Sequence, residues 1–165
     1  MDKEQKYQHL YMDIANRVSK MSYAVKLKVG AIIEKDGRII SLGWNGTPSG
    51  WDNCCEYKQE IPSLTNILPQ RDMDNTSLNE YKLVTKPEVL HAERNALDKL
   101  ARSHESGLGA IMYCTHSPCL ECAKSILGSG IKKLIYQTEY RSDEGIKFLI
   151  KSGLDVWKLN TINET

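Results

Sequence analysis

Apolar positions recur along this chain with two periods, and the periods alternate in a regular order. Tyr7, Leu10, Tyr11, Ile14, Val18 and Met21 fall at helical spacing and predict an N-terminal helix with one buried face. Two short apolar runs follow at 29–33 and 39–44, around Lys35-Asp36-Gly37-Arg38, where Asp-Gly marks a hairpin turn. Ala92, Ala96, Leu97 and Leu100, in a stretch of good helix formers opening at His91, predict a second helix. Residues 110–115 are apolar and β-prone and read as a buried strand. Pro118 stands where a third helix would begin. Residues 133–136 read as a strand, 144–152 as a helix stopped at Gly153, and 155–159 as a last strand. The order α-β-β-α-β-α-β-α-β predicts an α/β fold in three layers, a mixed sheet with helices on both faces.

Residues 56–88 interrupt this order. Pro62, Pro69 and Pro87, with Asn66, Asn75 and Asn79, break any long periodicity, and residues 78–83 have room for a turn of helix. A loop of this length inside a compact domain has two readings, a tolerated surface insertion or a functional lid or interface arm.

Size and charge narrow the class. At 165 residues and 41% hydrophobic, the chain supports one domain, residues 1–165, with a proper core. Lys+Arg 22 against Asp+Glu 21 leaves a net charge of +1, which gives no support for nucleic acid as the main partner. No apolar run approaches the roughly 20 residues of a membrane span, so no membrane is expected. The polar, charged start does not look like a secretory signal. Five cysteines without a framework spacing suit a reducing compartment, and cytoplasmic localisation follows.

The candidate chemistry lies in two segments, His91-Ala92-Glu93 and Pro118-Cys119-Leu120-Glu121-Cys122. One imidazole and two thiolates make a zinc set that leaves a fourth position open, as catalytic zinc sites do. Both segments fall at helix starts, where the partial positive charge favours thiolate over thiol. Glu93, two residues past the histidine, supplies a carboxylate that is not a ligand. A lone C-x-x-C could be a redox pair or half of a structural zinc site, and a lone H-x-E an ordinary helix start. Joined in this order, H-x-E…P-C-x-x-C is the pattern of the zinc deaminases of nucleobases, with the glutamate as general acid and base.

With these motifs, Val29-Gly30-Ala31-Ile32-Ile33, Gly43-Trp44-Asn45-Gly46-Thr47-Pro48-Ser49-Gly50, Thr115-His116-Ser117 and residues 130–136 complete a likeness over nearly the whole chain outside 56–88. The chain resembles the deoxycytidylate (dCMP) deaminases of the wider cytidine deaminase superfamily, in their bacteriophage form. The resemblance implies a three-layer α/β/α fold with a five-stranded mixed sheet. It also implies one catalytic Zn²⁺ per chain on His91, Cys119 and Cys122, and a proton shuttle at Glu93. Its implied reaction is hydrolysis of dCMP to dUMP and ammonia, supplying dUMP for dTTP synthesis, in the host cytoplasm if the gene is a phage's.

Further expectations come from the same likeness. Tyr140 would stack on the pyrimidine, Asn45 would serve the substrate, and Ser22 and Lys26 are candidates for the 5′-phosphate. A homohexamer is implied, activated by dCTP and inhibited by dTTP with Mg²⁺ on the triphosphate. Its effector site would draw on Gly43, Trp44, Asn45, Gly46, Lys99 and Arg102. The alternative for Lys99 and Arg102 is that they are ordinary solvated charges on an exposed helix face. Some phage relatives hold a second, structural zinc, but the loop at 22–26 here has no cysteine and 88–90 no histidine, so none is expected. Cys54 and Cys55 are then loop thiols near the effector site, and Cys114 a small buried apolar residue. The alternatives are a tRNA adenosine deaminase, which shares both metal motifs, and a zinc-stabilised binding module, which would need no Glu93.

Overall fold

The computed structural model of this chain describes residues 2–61 and 81–160. Among the described residues, four helices and seven strands run in the order α1 (Lys3–Ser19), β1 (Gly30–Lys35), β2 (Arg38–Trp44), β3 (Glu56–Glu60), β4 (Tyr81–Thr85), α2 (Ala92–Ala101), β5 (Ile111–His116), α3 (Leu120–Gly128), β6 (Lys133–Thr138), α4 (Glu144–Lys151) and β7 (Asp155–Lys158). Five strands form one sheet in the order β2-β1-β5-β6-β7. β1 runs antiparallel to both β2 and β5, and β5, β6 and β7 are mutually parallel. The mixed five-stranded sheet and its three layers are as the sequence predicts.

Alternation along the central strands divides the core in two. Ala31, Ile33, Met112, Cys114, Leu134 and Tyr136 pack with residues of α2, α3 and α4. Their neighbours Ile32, Tyr113 and Ile135 point the other way, onto α1. Both faces are apolar because both are covered, which explains the continuous runs seen in the sequence. The hairpin between β1 and β2 turns at Asp36 (φ 52°) and Gly37 (φ 77°), a pair of left-handed residues suited to the right-handed twist of the strands. The Gly37 N–H donates to Glu34 Oε1 at 2.6 Å.

Two expectations need correction. The buried face of α1 is Tyr11, Met12, Ala15 and Val18, whereas Tyr7, Leu10 and Met21 are exposed. Closest approach to the sheet is centred on Ala15, since Gly30 beneath it has no Cβ to hold the helix off. Spacing alone could not choose between adjacent helical faces. Residues 56–88 are also not simply a loop, because β3 and β4 pair antiparallel from Glu56↔Thr85 to Glu60↔Tyr81. Of the helical turn expected at 78–83, residues 81–83 are strand, and the remainder lies outside the described residues. Among the described residues, no helix is long and apolar enough to cross a membrane.

Gly43 has the same relation to α2 that Gly30 has to α1. A Cβ on Gly43 would run into the backbone of Ala92 and Ala96. Gly43→Ala is therefore expected to lower the unfolding free energy by about 1–3 kcal/mol, as overpacking does. Gly128→Ala, which meets nothing within 4 Å, should cost nothing. Urea melts of the two variants beside the parent check this, and equal stability of all three would refute it.

Candidate active site

A backbone bridge places the first metal-binding residue. The Gly46 N–H donates to Leu90 O at 3.1 Å and the Leu90 N–H to Gly46 O at 2.9 Å, so the chain enters α2 pinned to the end of β2. His91 then occupies the N-cap of α2 with extended backbone and no side-chain cap bond, which leaves its imidazole free. Cys119 is likewise the N-cap of α3 and Cys122 lies in its first turn. The helix thus opens two residues later than Pro118 suggests. Gly145 of α4 lets that helix lie against the backbone of Pro118 and Cys119.

His91 Nδ1 lies 3.5 Å from Cys119 Sγ and 3.4 Å from Cys122 Sγ. Tetrahedral zinc with bonds of about 2.3 Å to sulfur and about 2.05 Å to nitrogen separates such atoms by about 3.6 Å. The donor set therefore fits zinc in kind and in spacing. Among the described residues it is the one group of three such side chains whose donor atoms lie within 4.8 Å of one another. Hydrogen bonds from Cys122 and His91 pull the Cys119 thiol down to about 3, while the bond to Cys119 and burial push Cys122 up. Two sulfurs this close ionise together only with a cation to hold their charge. His91 is pushed up mainly by its bond to Cys119.

Glu93 follows in the first turn of α2, only 4% exposed. Burial pushes its carboxyl up to about 7. Cys114, in mid-strand and fully buried, is pushed well up by burial and then by Glu93, so it stays a thiol. Cys54 is exposed, and Cys55 is buried with Ala24 and Val89.

These groups open onto a cavity of about 390 Å³. Of the residues singled out from the sequence, Lys26, Asn45, His91, Glu93, Cys119 and Tyr140 line it. Ser22 does not: it is 2% exposed, and its hydroxyl donates to Asn45 O and accepts from the Ala24 N–H. That commits Ser22 to shaping the loop before β1, outside the cavity lining. Asn45 braces the same loop, accepting from the Val29 N–H and donating to Leu27 O, both at 2.8 Å. Tyr140 is anchored by its backbone N–H on Ser117 Oγ at 2.7 Å.

Gly43, Trp44, Gly46, Lys99 and Arg102 lie outside the cavity lining. The Lys99 ammonium sits 4.1 Å from the Trp44 ring centroid and donates to Leu42 O at 3.2 Å. Burial, and then Arg102, lower its pKa. Asn95 Nδ2 donates to Trp44 O at 2.8 Å, so α2 occupies alternate carbonyls of the β2 edge. The Arg102 side chain is exposed and, among the described residues, donates to Asp98 O at 3.3 Å and to no other group.

Lining residues that sequence reasoning left without a role include His116, Ser117, Glu56, Thr85, Glu139 and Arg141. His116 and Ser117 adjoin the P-C-x-x-C motif, and that adjacency was their signal. Glu56 and Thr85 begin and end the β3–β4 hairpin, and nothing local marks them as site residues.

The fold and the three-donor site with its buried carboxyl define a zinc-binding deaminase, and the comparisons agree. A profile of the cytidine and deoxycytidylate deaminase zinc-binding region matches residues 5–138. The chain belongs to the cytidine and deoxycytidylate deaminase family. It is 41% identical to the deoxycytidylate deaminase of Enterobacteria phage T4 over 147 residues, 78% of this chain and 76% of the relative. It is 36% identical to that of phage T2, over 92% of each chain. Among solved structures it is similar to a dCMP deaminase from the cyanophage S-TIM5 crystallised with dCMP and dUMP, with a TM-score of 0.75 and 41% identity over 96% and 99% of the two chains. A tRNA:A34 deaminase, with a TM-score of 0.56 and 19% identity over 93% and 99%, shares the fold.

Metal analysis of purified protein is expected to return one zinc per chain. Cys119→Ala and Cys122→Ala should each remove it, and chelation should lower the melting temperature, since a ligand that binds only the folded state stabilises it. Two zincs per chain, or a full zinc content in either variant, would break this assignment.

Proposed function

We propose that this chain hydrolyses the C4 amine of dCMP to give dUMP and ammonia. The observation that carries the reading is Glu93, a buried carboxyl two residues beyond the helix cap that supplies the imidazole of a zinc-type donor set. The family match and the phage relatives support a cytosine nucleotide as the substrate. Zinc held by His91, Cys119 and Cys122 would supply Lewis acidity that makes hydroxide accessible near neutral pH. The chain's own part is proton transfer. Glu93 accepts a proton from the attacking water and delivers it to N3, then takes the second proton from the new C4 hydroxyl and passes it to the departing amine. A carboxyl whose pKa lies near the working pH can both take and give. The Tyr140 ring at the cavity wall offers an aromatic face to the pyrimidine.

Supply of dUMP for dTTP synthesis, control by dCTP and dTTP with Mg²⁺, assembly as a homohexamer and a cytoplasmic setting belong to the same proposal. Their support is the resemblance of Gly43-Trp44-Asn45-Gly46 and the α2 cations to the phage enzymes. With Lys99 already engaged on Trp44 and Leu42, Arg102 is the cation left exposed for a triphosphate.

Ammonia release from dCMP, CMP, cytidine and an RNA hairpin, assayed side by side, tests the substrate. Release from the hairpin alone would favour the tRNA deaminase reading, and release from none would leave a binding module. Glu93→Gln should keep fold and zinc and lower kcat by about 10²–10⁴-fold or more, since the amide cannot shuttle protons. A variant with a tenth of normal kcat would defeat that role.

The regulatory reading has its own test. Arg102→Glu should lose both dCTP activation and dTTP inhibition with zinc content intact, because charge-assisted hydrogen bonds worth about 1.5–3 kcal/mol each would go. A variant that answers both triphosphates at wild-type concentrations would overturn it.

A further inference from the structure

The charges around the cavity do not balance once their partners are counted. Besides Glu93, the charged side chains lining it are Lys26, Glu56, Glu139 and Arg141. Both carboxylates are committed. Glu56, 8% exposed, accepts from the N–H groups of Val25 at 3.0 Å and Lys26 at 3.1 Å. Glu139 takes the Lys158 ammonium at 2.7 Å. The two cations are not so engaged. None of the ion pairs among the described residues includes Lys26 or Arg141.

The unpaired charge is also placed at one end. Lys26 and Arg141 are exposed, while Glu93 is buried, so the cations stand at the open rim and the proton-transfer group at the floor. The Arg141 guanidinium lies 5.8 Å from the centroid of the Tyr140 ring, which lines the same wall. Lys26 comes from the loop before β1 and Arg141 from the loop after β6. A cytosine nucleotide has the same polarity, with the reacting base inserted first and the dianionic phosphate last.

We propose that Arg141, with Lys26, holds the 5′-phosphate and makes this site select a nucleotide over the corresponding nucleoside. This rests on the cytosine-nucleotide reading above. Arg141 presents a planar fork that matches two phosphate oxygens, and Lys26 acts as a point charge. Glu56 is a positioning residue here. By absorbing the Val25 and Lys26 N–H groups it fixes the backbone that carries the Lys26 side chain, and those donors spend its own charge.

The test compares dCMP with deoxycytidine in wild type, Arg141→Gln, Arg141→Lys and Lys26→Gln. The ratio of kcat/KM for dCMP to that for deoxycytidine should fall about 10- to 100-fold in Arg141→Gln, the scale of a lost charge-assisted hydrogen bond, and mostly through KM. Arg141→Lys should recover part of it, and Lys26→Gln should show a smaller fall. A proportionate loss for both substrates, with the ratio unchanged, would make Arg141 structural and overturn the inference.

Calorimetric binding of dUMP and deoxyuridine on the same proteins needs no turnover. A wild type that deaminates neither substrate but prefers dUMP through Arg141 would refute the proposed reaction and uphold the phosphate site. A wild type that deaminates deoxycytidine as readily as dCMP would refute the phosphate site and leave C4 deamination standing.

Discussion

Two helix N-termini meet at one point beside the end of β5, and the rest of the structure serves to keep them there. α2 arrives with His91 at its cap and α3 with Cys119 at its own. Both ends carry partial positive charge, so their approach is unfavourable unless negative charge lies between them. Cys119 answers that need by ionising easily, and a divalent cation would let Cys122, which Cys119 and burial push up, ionise as well. Close approach elsewhere makes the meeting possible. Gly43 lets α2 sit directly on β2, and Gly145 lets α4 press on the chain at Pro118 and Cys119. The Gly46–Leu90 bridge fixes the entry into α2 one residue before the imidazole.

The same packing buries Glu93, and burial sets its chemistry. A carboxylate taken out of water is costly, so burial pushes this group up from the usual carboxylate range, toward the pH at which it can both take and give a proton. Cys114 behind it has the opposite fate. Its thiol is driven so far up that it acts as one more small apolar side chain in the sheet. Two titratable groups in contact with one apolar interior are thus separated into a working acid and an inert filler.

α2 also ties the site to the edge of the sheet. Asn95 and Lys99 lie one helical turn apart and take the carbonyls of Trp44 and Leu42, two residues apart on β2. That match of helix and strand periods occupies backbone groups an edge strand would otherwise offer to another chain. It also means that the helix bearing His91 and Glu93 and the strand running into Gly43-Trp44-Asn45-Gly46 are held in fixed register.

Much of this was legible in the chain because it is local. The Asp36-Gly37 turn, the alternation of apolar periods and the mixed sheet of three layers follow from residues a few positions apart. So do the three metal donors and the carboxyl beside them, since H-x-E and P-C-x-x-C each need only one helix start. The buried face of α1 was not legible, because Gly30 decides it from eleven residues beyond the end of that helix. Nor was the β3–β4 hairpin, whose pairing of Glu56 with Thr85 spans a segment with no periodicity of its own. Ser22 and Lys26 looked equivalent in sequence, yet one is sealed by Asn45 and Ala24 while the other reaches the rim. That Lys26 and Arg141 line one cavity, while Glu56 and Glu139 beside them are engaged elsewhere, depends on loops far apart in the chain. Local pattern sets which groups a segment carries; only the packing of distant segments decides which of those groups are left without a partner.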